Sequence, residues 1–202
     1  MKVDVFRRES DFALPLLAPN YPLMPTIRPS LDSDLPAITR IYAHHVLHGT
    51  GTFETTPPTE VDMSTRRNDV LSKGLPWLVI EEGAQIRGFA YANWFKPRPA
   101  YRFSCEDSIY MAPESAGKGL GRALLAELMA GLERAGVRKV MAVIGDSANA
   151  GSIGIHKALG FEPAGVIHNC GWKFERWLDI VLMEKTLGVG ASTPPDEKPA
   201  TP

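Results

Sequence analysis

The chain has 202 residues, 44% hydrophobic and 22% charged, with Lys+Arg 22 against Asp+Glu 23 and a formal net charge of -1. That length suits one domain, or at most two small ones, with a substantial core, and the balanced charge removes any compositional case for nucleic acid or an anionic membrane as partner. No apolar run approaches the ~20 residues that span a bilayer, and Cys105 and Cys170 are too few for a disulfide scaffold or a Cys-rich zinc module. The expectation is a globular cytoplasmic protein.

In chain order, residues 1–24 read as an extended, poorly ordered segment. The apolar stretch FALPLLAPNYPLM follows Arg7 and Arg8 but is broken by Pro15 and Pro19. A secretory leader needs an unbroken apolar core of about 7–15 residues, so these prolines argue against one. Met24 offers an alternative start. Residues 26–28 form a strand candidate. Asp32 or Ser33 then caps a helix carrying Leu35, Ile38, Ile41, Tyr42 and Val46 at helical spacing. Gly49, Gly51, Pro57 and Pro58 mark a loop holding Thr52, Phe53 and Glu54. A polar helix over about 59–73 ends near Gly74, and residues 77–82 and 85–95 read as a hairpin turning at Gly83.

Residues 104–111 form a further strand candidate. Leu120, Leu124, Leu128 and Leu132 recur every four residues, with Ala123, Leu125 and Met129 beside them, as one apolar helix face that stops at Gly136. Residues 140–144 form a short buried strand, 152–159 a short helix closed by Gly160, and 166–169 and 177–187 late strands. The order of elements predicts one mixed α/β domain over 25–188, with no internal repeat. Residues 189–202 read as a disordered tail, because 191–202 carry no aliphatic side chain larger than alanine.

The turn between the strand at 104–111 and the leucine-striped helix is rich in glycine: Gly117, Gly119 and Gly121, with Lys118, Leu120 and Arg122 between and after them. Glycines allow a sharp turn, and a helix start offers free N–H groups and the positive end of a dipole. Together these suit a phosphate or pyrophosphate. Two common nucleotide motifs fail on spacing. Lys118 is followed by glycine rather than Ser or Thr, against a Walker A loop, and the pattern is G-x-G-x-G rather than G-x-G-x-x-G. Ser152 is not in a nucleophile elbow, since Ala150 stands where the first glycine belongs. His44, His45 and His48 share one early helix without a carboxylate cluster, which predicts a surface role and no metal.

The segment Gly117-Lys-Gly-Leu-Gly-Arg122 resembles the acetyl-CoA pyrophosphate loop of the GCN5-related N-acetyltransferases (GNAT), although Ala116 stands where that pattern begins with Gln or Arg. Other segments narrow the likeness. Phe53-Glu54, Lys96-Pro-Arg98-Pro-Ala-Tyr101-Arg102, Glu106-Asp-Ser108-Ile-Tyr110, Asn149-x-x-Ser152-x-x-x-His156 and Gly171-x-Lys173-Phe occur in order. Together they are similar to the phosphinothricin and methionine sulfoximine N-acetyltransferases, over about 26–187.

The resemblance implies a GNAT fold, an α/β architecture whose mixed central sheet has strands splayed at the acetyl-CoA site and helices on its flanks. It implies acetyl-CoA as co-substrate, a small amino-acid-like acceptor and a homodimer. Ile109, Tyr110 and Met111 would pair with the pantetheine, Gly117 to Arg122 would take the pyrophosphate, and Asn149 and Ser152 would contact CoA. Glu106 would be the general base that deprotonates the amine, directly or through water. Strand alternation sends the neighbouring carboxylate, Asp107, to the opposite face. His156 would protonate the departing thiolate. Phe53, Arg98, Tyr101, Arg102 and Lys173 would hold the acceptor, the arginines by two-pronged contacts with its oxygens. Ser104-Cys105 replaces the Thr-Val common in the subgroup, which alters pocket shape. Trp172 and Trp177 suit either a dimer interface or the core. Two other readings stay open: a different amine acceptor such as a protein N-terminus, and a non-catalytic acyl-CoA sensor.

Overall fold

A computed structural model describes residues 24–195. The expectations for residues 1–23 and 196–202 lie outside the described part. The chain forms seven strands: β1 (Thr26–Pro29), β2 (Trp77–Glu82), β3 (Gln85–Trp94), β4 (Ser104–Met111), β5 (Lys139–Gly145), β6 (Glu162–Lys173) and β7 (Arg176–Thr186). Helical spacing gives α1 (Leu35–His48), α2 (Glu60–Ser72), α3 (Leu120–Arg134) and α4 (Ala150–Ala158). The strands form one sheet in the order β1-β2-β3-β4-β5-β7-β6. Every pairing is antiparallel except β4 with β5. This is the mixed α/β domain that the order of elements predicts, with the helix-flanked mixed sheet that the resemblance implies.

Helices cover both faces, and β4 shows how. Its Tyr110 packs edge-on against Tyr42 of α1, with ring centroids 4.8 Å apart, while Asp107 bonds His156 of α4. Residues an odd number apart on a strand point to opposite faces, so α1 and α4 lie on opposite sides of the sheet. On the α1 side, Trp77, Phe89 and Tyr91 stack nearly parallel, Trp77 and Tyr91 at 3.9 Å. The leucine stripe of α3 is buried, as are Leu35, Ile38, Ile41, Tyr42 and Val46 of α1. Each such side chain contributes about 1.5–3 kcal/mol by leaving water.

Three local features differ from the sequence expectation. Residues 32–34 form a short 3-10 turn, so α1 begins one or two residues late, with Asp34 rather than Asp32 or Ser33 at the cap position. The Asp34 carboxylate takes the Arg28 guanidinium at 2.7 and 3.0 Å and the Leu31 N–H at 2.7 Å instead of the helix end. β6 is three times the predicted length, because bulges around Gly165 and between Ile167 and Gly171 break the alternation that marks a strand. It turns into β7 through Phe174 and Glu175, both at positive φ (52° and 56°), a conformation their residue types do not announce. The chain after β7 turns at 187–192, where Gly190 N–H bonds Leu187 O and Arg138 reaches Gly190 O at 3.3 Å.

One register sets up the site. β4 and β5 pair only from Ser104–Lys139 to Asp107–Ala142. β4 then runs on to Met111 and β5 to Gly145 without pairing, while β5 stays on β7 through Gly145–Ile180. Two neighbouring parallel strands therefore open into a wedge in the middle of the sheet.

Candidate active site

The wedge is the mouth of a cavity of about 1050 Å³. Ile109, Tyr110 and Met111 form one wall, and the edge they present toward β5 has no strand partner. The Met111 carbonyl accepts a hydrogen bond of 2.8 Å from His45 Nε2 of α1. A carbonyl only accepts, so the His45 proton sits on Nε2. Burial lowers the His45 pKa, against the pull of the Met111 carbonyl, and favours that neutral ring. The Tyr110 hydroxyl is held well above its ordinary range by burial.

Past Met111 the chain makes a 3-10 turn at Pro113–Ser115 and then passes through Gly117 and Gly119, at φ 75° and 76°, into α3. A Cβ at either glycine would meet nothing, so the requirement is for left-handed backbone rather than for space. The first turn of α3 contains no acidic residue. Its unpaired N–H groups and dipole are therefore available to an anion. Gly117, Gly119, Gly121 and Arg122 line the cavity. Lys118 lies exposed beside it, and Leu120 is buried in the core, so Leu120 can serve the site only through its backbone. Opposite, Asn149 caps α4 by accepting the Ser152 N–H at 3.2 Å, and both residues face the cavity.

Glu106 and Asp107 stand where the wedge begins to open, on opposite faces. Glu106 lies across from Asn93 on β3 and reaches both the main cavity and a second one of about 530 Å³ beside α2. It is half-buried, and among the described residues no hydrogen bond or ion pair engages its carboxylate. Its pKa is raised, first by burial and further by Asp107, with Lys96 opposing. Asp107 is buried, with Oδ2 3.0 Å from His156 Nε2 and no partner for Oδ1. His156 Nδ1 lies 2.7 Å from Ser152 O.

The proposed acceptor residues divide. Phe53 lines the cavity, and its ring fills the space that a Cβ at Gly171 or Gly145 would need. Lys173 does not reach the cavity. It is buried, and its ammonium donates to Gly49 O at 2.8 Å and Thr52 O at 2.7 Å, tying the Phe53 loop to β6. Burial lowers its pKa, with Glu54 opposing. Arg98, Tyr101 and Arg102 sit on the loop before β4, outside both cavities. Tyr101 packs edge-on against Phe95 at 5.8 Å, and Arg102 lies over the Phe103 ring at 4.6 Å and donates to Pro99 O.

Sequence reasoning missed several polar residues here. His45 shares the buried stripe of α1 with Tyr42 and Val46, a position that distinguishes it from His44 and His48. Arg66 of α2 reaches Glu54 at 2.7 Å, and Glu54 also accepts from Tyr42 at 2.8 Å. Tyr42 lines the main cavity and Arg66 the second, and Glu54 joins them. Among the described residues, no group of His, Cys, Asp or Glu is arranged to hold a metal ion.

A parallel pair splayed in mid-sheet, with a glycine-rich helix start at its mouth, defines an acyltransferase scaffold. The acetyltransferase (GNAT) domain model matches residues 27–182, and the chain belongs to this family. It is an N-acetyltransferase. It is 49% identical over 171 residues to a phosphinothricin N-acetyltransferase of Alcaligenes faecalis, covering 85% of this chain and 87% of that one. It is 36% identical over 174 residues to an L-methionine sulfoximine/L-methionine sulfone acetyltransferase of Pseudomonas aeruginosa, covering 84% and 98%. Among solved structures, a phosphinothricin acetyltransferase from Sinorhizobium meliloti in complex with AcCoA superposes with a TM-score of 0.84 at 44% identity, covering 88% and 97%.

Proposed function

We propose that this enzyme transfers the acetyl group of acetyl-CoA directly to the primary amine of a small amino-acid-like acceptor of the phosphinothricin, methionine sulfoximine or methionine sulfone kind. The observation that carries this reading is the open edge of β4 from Ser108 to Met111, ending in an uncovered helix start, with Glu106 at the closed end. An extended pantetheine arm fits an unpaired strand edge, and a pyrophosphate fits the glycine turn, where Lys118 and Arg122 add positive charge. The relatives named above support both the donor and the acceptor class.

In this reading Glu106 takes a proton from the acceptor ammonium, and the freed lone pair attacks the acetyl carbon. The carbon–sulfur bond breaks with its electrons on sulfur, and His156 supplies the proton that sulfur needs. Burial equips Glu106 for the first step by making it a stronger base than an exposed carboxylate. Phe53 walls the acceptor end. Arg66, fixed by Glu54, lines the second cavity with Glu106 and is a cation that acceptor oxygens could meet there. Arg98, Tyr101 and Arg102 would reach an acceptor only if their loop folded inward, and Lys173 serves the acceptor indirectly by holding the Phe53 loop.

We also propose that the enzyme acts in the cytoplasm, which suits its two free thiols, Cys105 and Cys170. For assembly we propose a homodimer across the β6–β7 ribbon. Trp172 and Trp177, 57% and 58% exposed, pack edge-on at 5.3 Å beside exposed Phe174, an apolar surface that a second copy would cover.

The test is thiol release from acetyl-CoA with phosphinothricin, methionine sulfoximine, methionine sulfone and a panel of free amino acids. Saturable release with the first three is expected. Binding of acetyl-CoA without release on any of them would sink the acceptor assignment.

A further inference from the structure

The environment of His156 fixes more than its position. The ring is 2% exposed and lies edge-on to Phe161, with centroids 4.9 Å apart. Nδ1 lies 2.7 Å from the Ser152 carbonyl, with the Ser152 hydroxyl at 3.4 Å. A carbonyl only accepts, so Nδ1 carries a proton. Nε2 lies 3.0 Å from Asp107 Oδ2, and two bare lone pairs cannot face each other at that distance inside a protein. A proton therefore lies between them. Imidazole is ordinarily a stronger base than a carboxylate, which favours that proton on nitrogen and an imidazolium–carboxylate pair. Asp107 lines the cavity with its side chain 1% exposed, and among the described residues its buried Oδ1 has no hydrogen-bond partner.

We propose that Asp107 is a positioning residue for His156, holding the imidazole doubly protonated at the closed end of the wedge so that Nε2–H is the stored proton of the reaction. The inference rests on the acetyl-transfer reading. The two adjacent carboxylates then have separate duties on opposite faces of β4. Glu106 receives the amine's proton, and Asp107 holds the proton that sulfur will take. When the carbon–sulfur bond breaks and its electron pair stays on sulfur, the thiolate takes the proton from Nε2. The proton on Glu106 passes to water, the newly acylated nitrogen gives up its second proton by the same route, and one proton from water restores the imidazolium. Overall, an ammonium and a thioester have become an amide, a thiol and one released proton.

Other charged or titratable groups also face this cavity: Glu106 and Tyr110 from β4, Tyr42 and His45 from α1, Tyr91 from β3, Asp146 after β5 and Arg122 from α3. Among the described residues none bonds to the pair. Asp146 is engaged by Arg176 at 2.7 Å and His45 by Met111 O. Burial works against the charge on His156, but Asp107 and the Ser152 carbonyl outweigh it, so its pKa is raised.

The test is nitrogen-15 NMR of the histidine side chains in the free protein, with His156 assigned through His156→Gln and compared in Asp107→Asn and Asp107→Glu. In the wild type both His156 ring nitrogens should carry protons at pH 7.5, and titration should occur above the ordinary value of about 6.5. In Asp107→Asn the ring should be neutral at pH 7.5, protonated only on Nδ1. The variant's kcat should fall at least ~10-fold while KM for acetyl-CoA stays within about two-fold, and Asp107→Glu should recover part of kcat. A neutral His156 in the wild type at pH 7.5 would overturn the proposal by itself, even if Asp107→Asn failed to fold. So would an Asp107→Asn enzyme with unchanged histidine charge or unchanged kcat. The NMR result stands whichever acceptor is used, so failure of the acceptor assignment and failure of this pairing are distinguishable.

Discussion

On the proposed donor side of the cleft, the main groups offered to a ligand are backbone, the open edge of β4 and the N–H groups at the start of α3, with Arg122, Asn149 and Ser152 beside them. On the proposed acceptor side it is side chain: Phe53, Glu106, Arg66 and the groups that hold them. The donor side is shaped by strand register and left-handed glycine rather than by any one side chain. The acceptor side depends on a few placed groups, several of which, Lys173 and Glu54 among them, act by fixing others. Donor binding should therefore tolerate side-chain substitutions that damage acceptor turnover.

The sharpest separation comes from Glu106→Gln. It should lower kcat with any amine acceptor by ~10²–10⁴-fold, the usual contribution of a placed general base, and leave acetyl-CoA binding measured by calorimetry nearly unchanged. Lys173→Met removes the donor from two backbone carbonyls, one of them in a buried contact. Leaving those carbonyls unpartnered should cost about 1–3 kcal/mol of stability in denaturant unfolding and raise the acceptor KM as the Phe53 loop loosens. An unchanged stability would show that this loop is held by something else. Gly119→Val should act on the donor side alone. Forcing a branched residue to φ 76° costs roughly 1–2 kcal/mol, so KM for acetyl-CoA should rise about ten-fold with the acceptor KM unchanged. The smallest effects belong to Arg98→Ala and Arg102→Ala, each less than ~3-fold on the acceptor KM, because both lie on the exposed loop outside the two cavities. A large effect from either would mean that the loop closes over the acceptor.

The same contrast explains what could be read from the amino-acid sequence. The leucine stripe of α3 and the glycine turn were legible because 3.6-residue periodicity and left-handed backbone leave a mark on residue type. Strand alternation separated Glu106 from Asp107 correctly, since β4 has no bulge. β6 was not legible at full length, because its bulges reset the alternation at Gly165 and before Gly171. Phe174 and Glu175 turn a hairpin without the Asn or Gly that usually signals one. Lys173, next to that turn, matched a family segment, but nothing local says that its ammonium is drawn inward to Gly49 and Thr52, partners more than a hundred residues away. His45 was grouped with His44 and His48 by adjacency, although its place on the buried stripe of α1 set it apart. Contacts distant in sequence, rather than local pattern, decide what the acceptor side looks like.

The central claim is that Glu106 is the base for acetyl transfer to an amine, and the pH dependence of kcat/KM tests it most directly. Burial raises the Glu106 pKa, and the carboxylate must be ionised to accept a proton. Wild-type activity should therefore fall as pH drops through a limb above the ordinary carboxylate range, and in Glu106→Gln that limb should vanish along with most of the rate. A Glu106→Gln enzyme that kept near-wild-type kcat/KM and the same acid limb across the pH range would contradict the account.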